Sequence, residues 1–148
     1  MEMSRILALD LGDKRIGVAL SDPTQTLASP FTIIERVSDE QAIRDILKIA
    51  TENKVDRIIV GLPRSMDGSI GHQAEKVQSF TGQLEKQTTI PIEYCDERFT
   101  TVTAMRLKQE SSAKKLKRKT RFDAMAAAII LQEYLDEQAA AKKQAEDR

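Results

Sequence analysis

The chain of 148 residues contains one cysteine and one histidine, no tryptophan, and only 4% aromatic residues. A single cysteine, Cys95, excludes an internal disulfide, and nothing points to an oxidising compartment. A nucleophilic thiol would want a base beside it, but the sole histidine, His72, is expected in a distant polar loop. Cys95 therefore reads as a small buried hydrophobe on a strand. No apolar run approaches the roughly 20 residues that span a bilayer, and the longest, Ala124 to Leu131, has eight. The N-terminus lacks the basic-then-apolar pattern of a signal peptide. No membrane partner and a cytoplasmic location are the expectation. Net charge is also missing: 23 basic residues cancel 23 acidic ones, so the global balance indicates no partner.

The distribution of that charge is more informative. Residues 114 to 121, Lys-Lys-Leu-Lys-Arg-Lys-Thr-Arg, carry six positive charges and no negative one, which leaves the rest of the chain acidic. A basic stripe on an acidic body suits a polyanion such as nucleic acid. A lone charge run is more often a solvated loop. The hydrophobic fraction of 41% is ordinary and supports one domain with a core of Ile, Leu, Val and Ala. That domain is expected over residues 1 to 138, with a polar C-terminal tail over 139 to 148.

Strands are expected over residues 5 to 11 and 15 to 20, joined at Gly12-Asp13-Lys14, and over Phe31 to Glu35. Ser38 or Asp39 can cap a helix whose apolar positions, Ala42, Ile43, Ile46, Leu47, Ile49 and Ala50, recur at helical spacing. Arg57 to Gly61 reads as a buried strand, followed by a loop from Leu62 to Gly71. Ile70, Ala74, Val77, Thr81 and Leu84 mark a second helix, and Ile90 to Cys95 another buried strand. A short helix is expected from Thr100 or Thr101 to about Lys108. Gln109 to Thr120 should be mobile, and a last helix should run from Arg121 to about Glu137. Five strands reached partly by helical crossovers make an α/β fold with a mixed sheet. Ligands in such sheets gather beyond the carboxyl ends of the strands, where Asp10, the Gly61 loop and Glu97 fall.

Three acids stand out. Asp10 ends an apolar run before Gly12, where an ordinary turn aspartate is the plain alternative. Its context, Ala8-Leu9-Asp10-Leu11-Gly12-Asp13-Lys14-Arg15-Ile16-Gly17, raises the signal, because Gly12 and Gly17 leave room for a ligand. In Asp96-Glu97-Arg98 only one acid can lead toward a site, since consecutive strand side chains alternate. Glu97 is that acid, although three such residues alone fit a surface ion-pair cluster. Asp123, in Phe122-Asp123-Ala124-Met125-Ala126-Ala127-Ala128, lies on a helix apolar nearly all round, and a buried carboxylate needs a cation, a metal or a proton. The alternative is an acid favoured by the helix dipole. The loop Gly61-Leu62-Pro63-Arg64-Ser65-Met66-Asp67-Gly68-Ser69 is not a Walker loop, yet Arg64 and its backbone N–H groups can meet a phosphate.

Taken together, the Asp10-to-Asp22 run, Val60-Gly61-Leu62-Pro63 with Asp67-Gly68, Asp96-Glu97-Arg98, and Asp123 with Ala126-Ala127 and Ile130-Leu131-Gln132 resemble the YqgF-type proteins over about Arg5 to Leu135. These are bacterial members of the ribonuclease H-like superfamily, described as Holliday-junction resolvases and as nucleases maturing the 5′ end of pre-16S ribosomal RNA. The resemblance implies a ribonuclease H-like fold with a five-stranded mixed sheet, and a catalytic, metal-binding set of Asp10, Glu97 and Asp123. It further implies a nuclease dependent on Mg²⁺ or Mn²⁺, hard cations that suit oxygen ligands, working by the two-metal route. Lys114, Lys115, Lys117, Arg118, Lys119 and Arg121 would hold the strand, with Arg64 or Arg98 near the scissile phosphate and Lys14 and Arg15 as further contacts. Pre-ribosomal RNA, free or within pre-ribosomal particles, is the implied substrate. A DNA-junction resolvase and a non-catalytic RNA-binding assembly protein are the competing readings. A sugar-kinase or actin-like ATPase is excluded by length and by the missing second phosphate loop.

Overall fold

Alternation decides the central strand. In Arg5–Leu11 (β1), Leu7, Leu9 and Leu11 point to one face of the sheet and Ile6, Ala8 and Asp10 to the other. Both faces are covered, so Ile6 through Leu11 are all buried. The computed structural model describes residues 4–63, 71–96 and 115–146, with side chains over 4–63, 71–96 and 124–145. Arg15–Ser21 (β2) returns antiparallel to β1, and Ala28–Glu35 (β3) pairs antiparallel with β2. Val55–Leu62 (β4) lies parallel to β1 on its other side, and Ile92–Asp96 (β5) lies parallel to β4. The sheet order is therefore β3-β2-β1-β4-β5.

Two strands depart from expectation at the sheet's edges. β3 begins at Ala28, three residues before Phe31. Pro30 is tolerated there because an edge strand can lack one ladder donor, and the register slips opposite it, between Val18 and Ala19. β5 was expected to be buried but is the other edge, with Glu93 and Tyr94 exposed and Cys95 half-buried. A neighbour on one side only leaves it partly in solvent.

Asp39–Glu52 (α1) starts at Ser38, whose hydroxyl accepts the Gln41 N–H while the Gln41 side chain accepts from the Ser38 backbone. This reciprocal capping box is worth about 1 kcal/mol. His72–Glu85 (α2) has His72 as its exposed first helical residue rather than in a loop, and it buries Phe80 besides Ala74, Val77, Thr81 and Leu84. Both helices cover the Leu7–Leu9 face, where Ile16, Val18, Ile58 and Val60 meet Ile46, Phe80 and Leu84. Lys115–Glu146 (α3) covers the opposite face, with Ala126, Ala127, Ile130 and Leu131 packed on Ile6, Ala8, Ala19 and Ile59. Four fully buried alanines at this contact let helix and sheet approach closely.

α3 begins at Lys115, so residues 115 to 120 are helical rather than a mobile loop, and it ends beyond Glu137. Nothing in Lys115–Glu146 is Gly or Pro, and Lys, Arg, Ala and Gln propagate helix well. The helix is not buried all round, because Met125 is 49% exposed. Its residues 136 to 145, including the polar segment after 138, are exposed. The segment expected to carry a short helix up to Lys108 lies outside the described residues.

Candidate active site

Asp10 lies one residue from the carboxyl end of β1, on the face that α3 covers. It is 5% exposed, so its carboxylate must be stabilised by neighbours rather than by bulk water. The sheet leaves space beside it. Across the β1–β2 ladder Asp10 pairs with Gly17, and directly opposed residues project to the same face. On the other side Leu9 pairs with Val60, so one step further brings Gly61 level with Asp10. Gly61 in turn pairs with Cys95. The acid is thus flanked on both neighbouring strands by residues without side chains. Local pattern points to Gly17, but the approach of Gly61 depends on pairing between strands distant in sequence.

The turn after β1 is tight. Gly12 N–H donates to the Arg15 carbonyl at 2.9 Å, and a Cβ on Gly12 would come within 2.6 Å of that oxygen. Gly12 is therefore a requirement of the hairpin rather than a clearance for ligand. Arg36, which the sequence did not single out, pins the turn by donating from Nη1 to the Gly12 carbonyl at 2.9 Å. Its guanidinium also pairs with Asp39 at 2.9 Å and stacks over the Phe80 ring, 4.8 Å from the centroid. Of the two cations in the hairpin, Lys14 is exposed, while Arg15 pairs with Glu35 at 3.4 Å across the β2–β3 ladder. An open cleft of about 420 Å³ beside the turn includes Asp13, Arg36, Asp39 and Lys76. Both cations are matched there by acids, Lys76 by Asp13 at 3.5 Å, so it is not an anion site.

α3 runs antiparallel to β1. Its Gln132 side chain accepts the Ala28 N–H at 2.9 Å and donates to the Thr26 carbonyl at 3.0 Å, at the start of β3. Tyr134 meets Arg57 near the start of β4 and Glu93 on β5. Arg57 is level with Ile6, and the four residues from Ile6 to Asp10 rise about 13 Å along β1. The eleven residues back from 134 to 123 rise about 16 Å along α3. Position 123, one turn before Ala126 and Ala127, therefore falls on the helix stripe that leads to the Asp10 end of the sheet.

Lys115, Lys117, Arg118, Lys119 and Arg121 occupy the first turns of α3 at that end, described as helix backbone. Glu97, which directly follows β5, and Arg64, Arg98 and Lys114 lie outside the described residues. Asp96 and Tyr94 share one parity of β5 and Glu93 and Cys95 the other, and Cys95 packs beside the α3 cluster. Among the described residues no three His, Cys, Asp or Glu side chains form a metal-sized group.

Two further polar arrangements have little local signature. Asp22 accepts the N–H groups of Thr26 at 2.8 Å and Leu27 at 2.9 Å, and the Thr24 and Thr26 hydroxyls. The Leu27 N–H, then the Thr24 hydroxyl and the Thr26 N–H, hold its pKa well below the usual carboxylate range. At the opposite edge from Asp10, burial and its hydrogen bond to Glu93 push the Tyr134 phenol up, and the bond to Tyr134 raises Arg57. Only the sequence Asp22-Pro23-Thr24, a common turn opener, could have signalled the first.

Residues 4–137 match the family model described as "RuvX: Holliday junction resolvase". A protein of Roseiflexus sp. (strain RS-1), named "Putative pre-16S rRNA nuclease", is 47% identical over 137 residues, covering 93% of this chain and 97% of its own. One of the same name from Clostridium acetobutylicum is 44% identical, covering 89% and 98%. Among solved structures, the RuvC of T. thermophilus in complex with a Holliday junction substrate is similar with a TM-score of 0.54 at 9% identity, covering 93% of this chain and 96% of that one. The fowlpox virus resolvase with its junction DNA gives 0.52 at 14%, covering 90% and 98%. These two establish a shared resolvase-like, ribonuclease H-like fold.

Proposed function

We infer that this chain, which belongs to the RuvX family of nucleases described as Holliday junction resolvases, hydrolyses phosphodiester bonds of pre-16S ribosomal RNA with a divalent cation held by Asp10, Glu97 and Asp123. The observation that carries the reading is the near-buried Asp10 carboxylate between Gly17 and Gly61 at the carboxyl edge of the sheet. An oxygen donor with clearance on both sides fits a small hard cation such as Mg²⁺ or Mn²⁺. A cation there would supply a Lewis acid and an activated water.

The chain's own residues do the rest. Asp10 offers its oxygens from a strand whose ends are pinned, by the Gly12–Arg15 turn on one side and pairing to β4 on the other. Asp123 sits on a helix that points at the same edge, and Glu97 directly follows β5 in the sequence. The basic first turns of α3 hold the sugar-phosphate chain beside these acids, and Lys14, Arg64 and Arg98 add contacts around the edge. Arg15 contributes less, being engaged with Glu35.

RNA is favoured over a DNA junction because relatives at 43–47% identity carry the pre-16S rRNA nuclease name, whereas likeness to the RuvC complex at 9% speaks for fold alone. The test is cleavage of a pre-16S fragment and of a four-way DNA junction, with Mg²⁺, with Mn²⁺ and with chelator. Metal-dependent cleavage of the RNA, lost in Asp10→Asn, is the expected result. Preference for the junction would transfer the substrate to DNA. Tight RNA binding with no cleavage in any metal would make the protein a non-catalytic assembly factor.

A further inference from the structure

We propose that Tyr134, held between Arg57 and Glu93, is a positioning residue that sets α3 against β4 and β5 and thereby aligns Asp123 with Asp10 and Glu97. This rests on the metal-nuclease reading above. The phenol is 7% exposed, accepts from Arg57 Nη1 and donates to Glu93 Oε2 at 2.9 Å. Three elements meet in those two bonds: α3, which carries Asp123, β5, which leads into Glu97, and β4, which brings Gly61 beside Asp10.

The apolar part of the α3 contact is less directional. Ala126 and Ala127 share it with Ala8 and Ala19, Ile130 and Leu131 add bulk one turn further on with Ile6 and Ile59, and burial of such surfaces is non-directional. Hydrogen bonds from the two flanks of the helix fix its angle. Gln132 grips the Thr26–Ala28 backbone at the β3 side, and Tyr134, about 200° further round the helix, grips β4 and β5. β5 has the greater need of the tie, because it is an edge strand with exposed Glu93 and Tyr94. The tie lies near the starts of β4 and β5, remote from Asp10 and from position 123 of α3, so removing it perturbs alignment rather than chemistry.

Mn²⁺ binding followed by electron paramagnetic resonance without nucleic acid, alongside steady-state cleavage, tests this in Tyr134→Phe, Glu93→Ala and Glu93→Gln. Tyr134→Phe and Glu93→Ala should bind Mn²⁺ roughly tenfold more weakly, as when groups supporting metal ligands are lost. Their kcat should fall while KM for RNA stays unchanged. Glu93→Gln keeps an oxygen that accepts the phenol proton and should remain near wild type. Wild-type Mn²⁺ affinity in Tyr134→Phe and Glu93→Ala, with only a lower melting temperature, would overturn the proposal, as would a Glu93→Gln as impaired as Glu93→Ala. If Tyr134→Phe does not fold, the two substitutions at exposed Glu93 decide alone. Asp10→Asn separates the two levels: if it binds Mn²⁺ like wild type, the metal-site reading itself fails, and the role of Tyr134 fails with it.

Discussion

Asp10 faces Gly17 across the β1–β2 ladder, and Gly17 sets no side chain against the flank of a 5% exposed carboxylate on the α3 side of the sheet. Gly61 does the same from β4. A carboxylate so placed is expensive to bury for packing alone and useful for holding a cation.

Asp10→Asn, Glu97→Gln and Asp123→Asn should each abolish metal-dependent cleavage and leave the circular-dichroism spectrum unchanged. Removing one of several clustered negative charges relieves repulsion, so the metal-free variants should melt at or above the wild-type temperature. Cleavage by homogeneous Asp10→Asn at the wild-type rate would sink the site. Loss from only one of the three would redraw it.

Replacing Lys114, Lys115, Lys117, Arg118 and Lys119 by Gln should weaken RNA binding while the melting temperature holds. On single strands, the plot of log affinity against log salt should flatten by roughly 0.7 for each phosphate no longer neutralised. Mn²⁺ affinity without RNA should not change. An unaltered salt slope would relegate the run to a solvated helix end and move the RNA path toward Lys14 and Arg64.

Asp22 predicts a pH dependence of stability. Its folded pKa is depressed below 3.8 by the Leu27 and Thr26 N–H groups and the threonine hydroxyls, so the anion favours folding. That contribution is complete above the unfolded pKa and is lost as pH falls through the folded one. Asp22→Asn should therefore melt lower than wild type at neutral pH, and the gap should close progressively below pH 3.8. A gap that stays constant down to about pH 2 would show that the charge plays no part.

Gly12→Ala should destabilise the hairpin, because its Cβ would meet the Arg15 carbonyl at 2.6 Å, and backbone cannot swing aside as a flexible side chain does. A loss of roughly 1–3 kcal/mol in urea unfolding is expected. Cleavage should fall too, since the turn holds the end of the strand that carries Asp10. An unchanged unfolding midpoint would show that the turn relaxes freely.

Much of the fold was legible because it is written in local pattern. The apolar runs of β1 and β2 around the Gly12-Asp13-Lys14 turn, helical spacing in α1 and the Ser38 cap are decided by residues within a few positions of one another, and the structure has these elements as read. β5 and the start of β3 were misjudged because an apolar run looks the same at the edge of a sheet as at its centre. The basic run looked like a loop because helix propensity, unlike amphipathic spacing, leaves no visible stripe.

The candidate acids divide along the same line. Composition, periodicity and motif by themselves determined an α/β chain, the three carboxylates worth testing and the basic block near one of them. Only the tertiary structure decided that Gly17 and Gly61 stand on either side of Asp10, that α3 runs antiparallel to β1 so that position 123 leads to the Asp10 edge, and that Tyr134 joins Arg57 to Glu93. Each of these is a matter of register between separate elements. Register follows from how whole faces pack, and no local preference of Gly61 or Tyr134 encodes which partner the fold will bring to it.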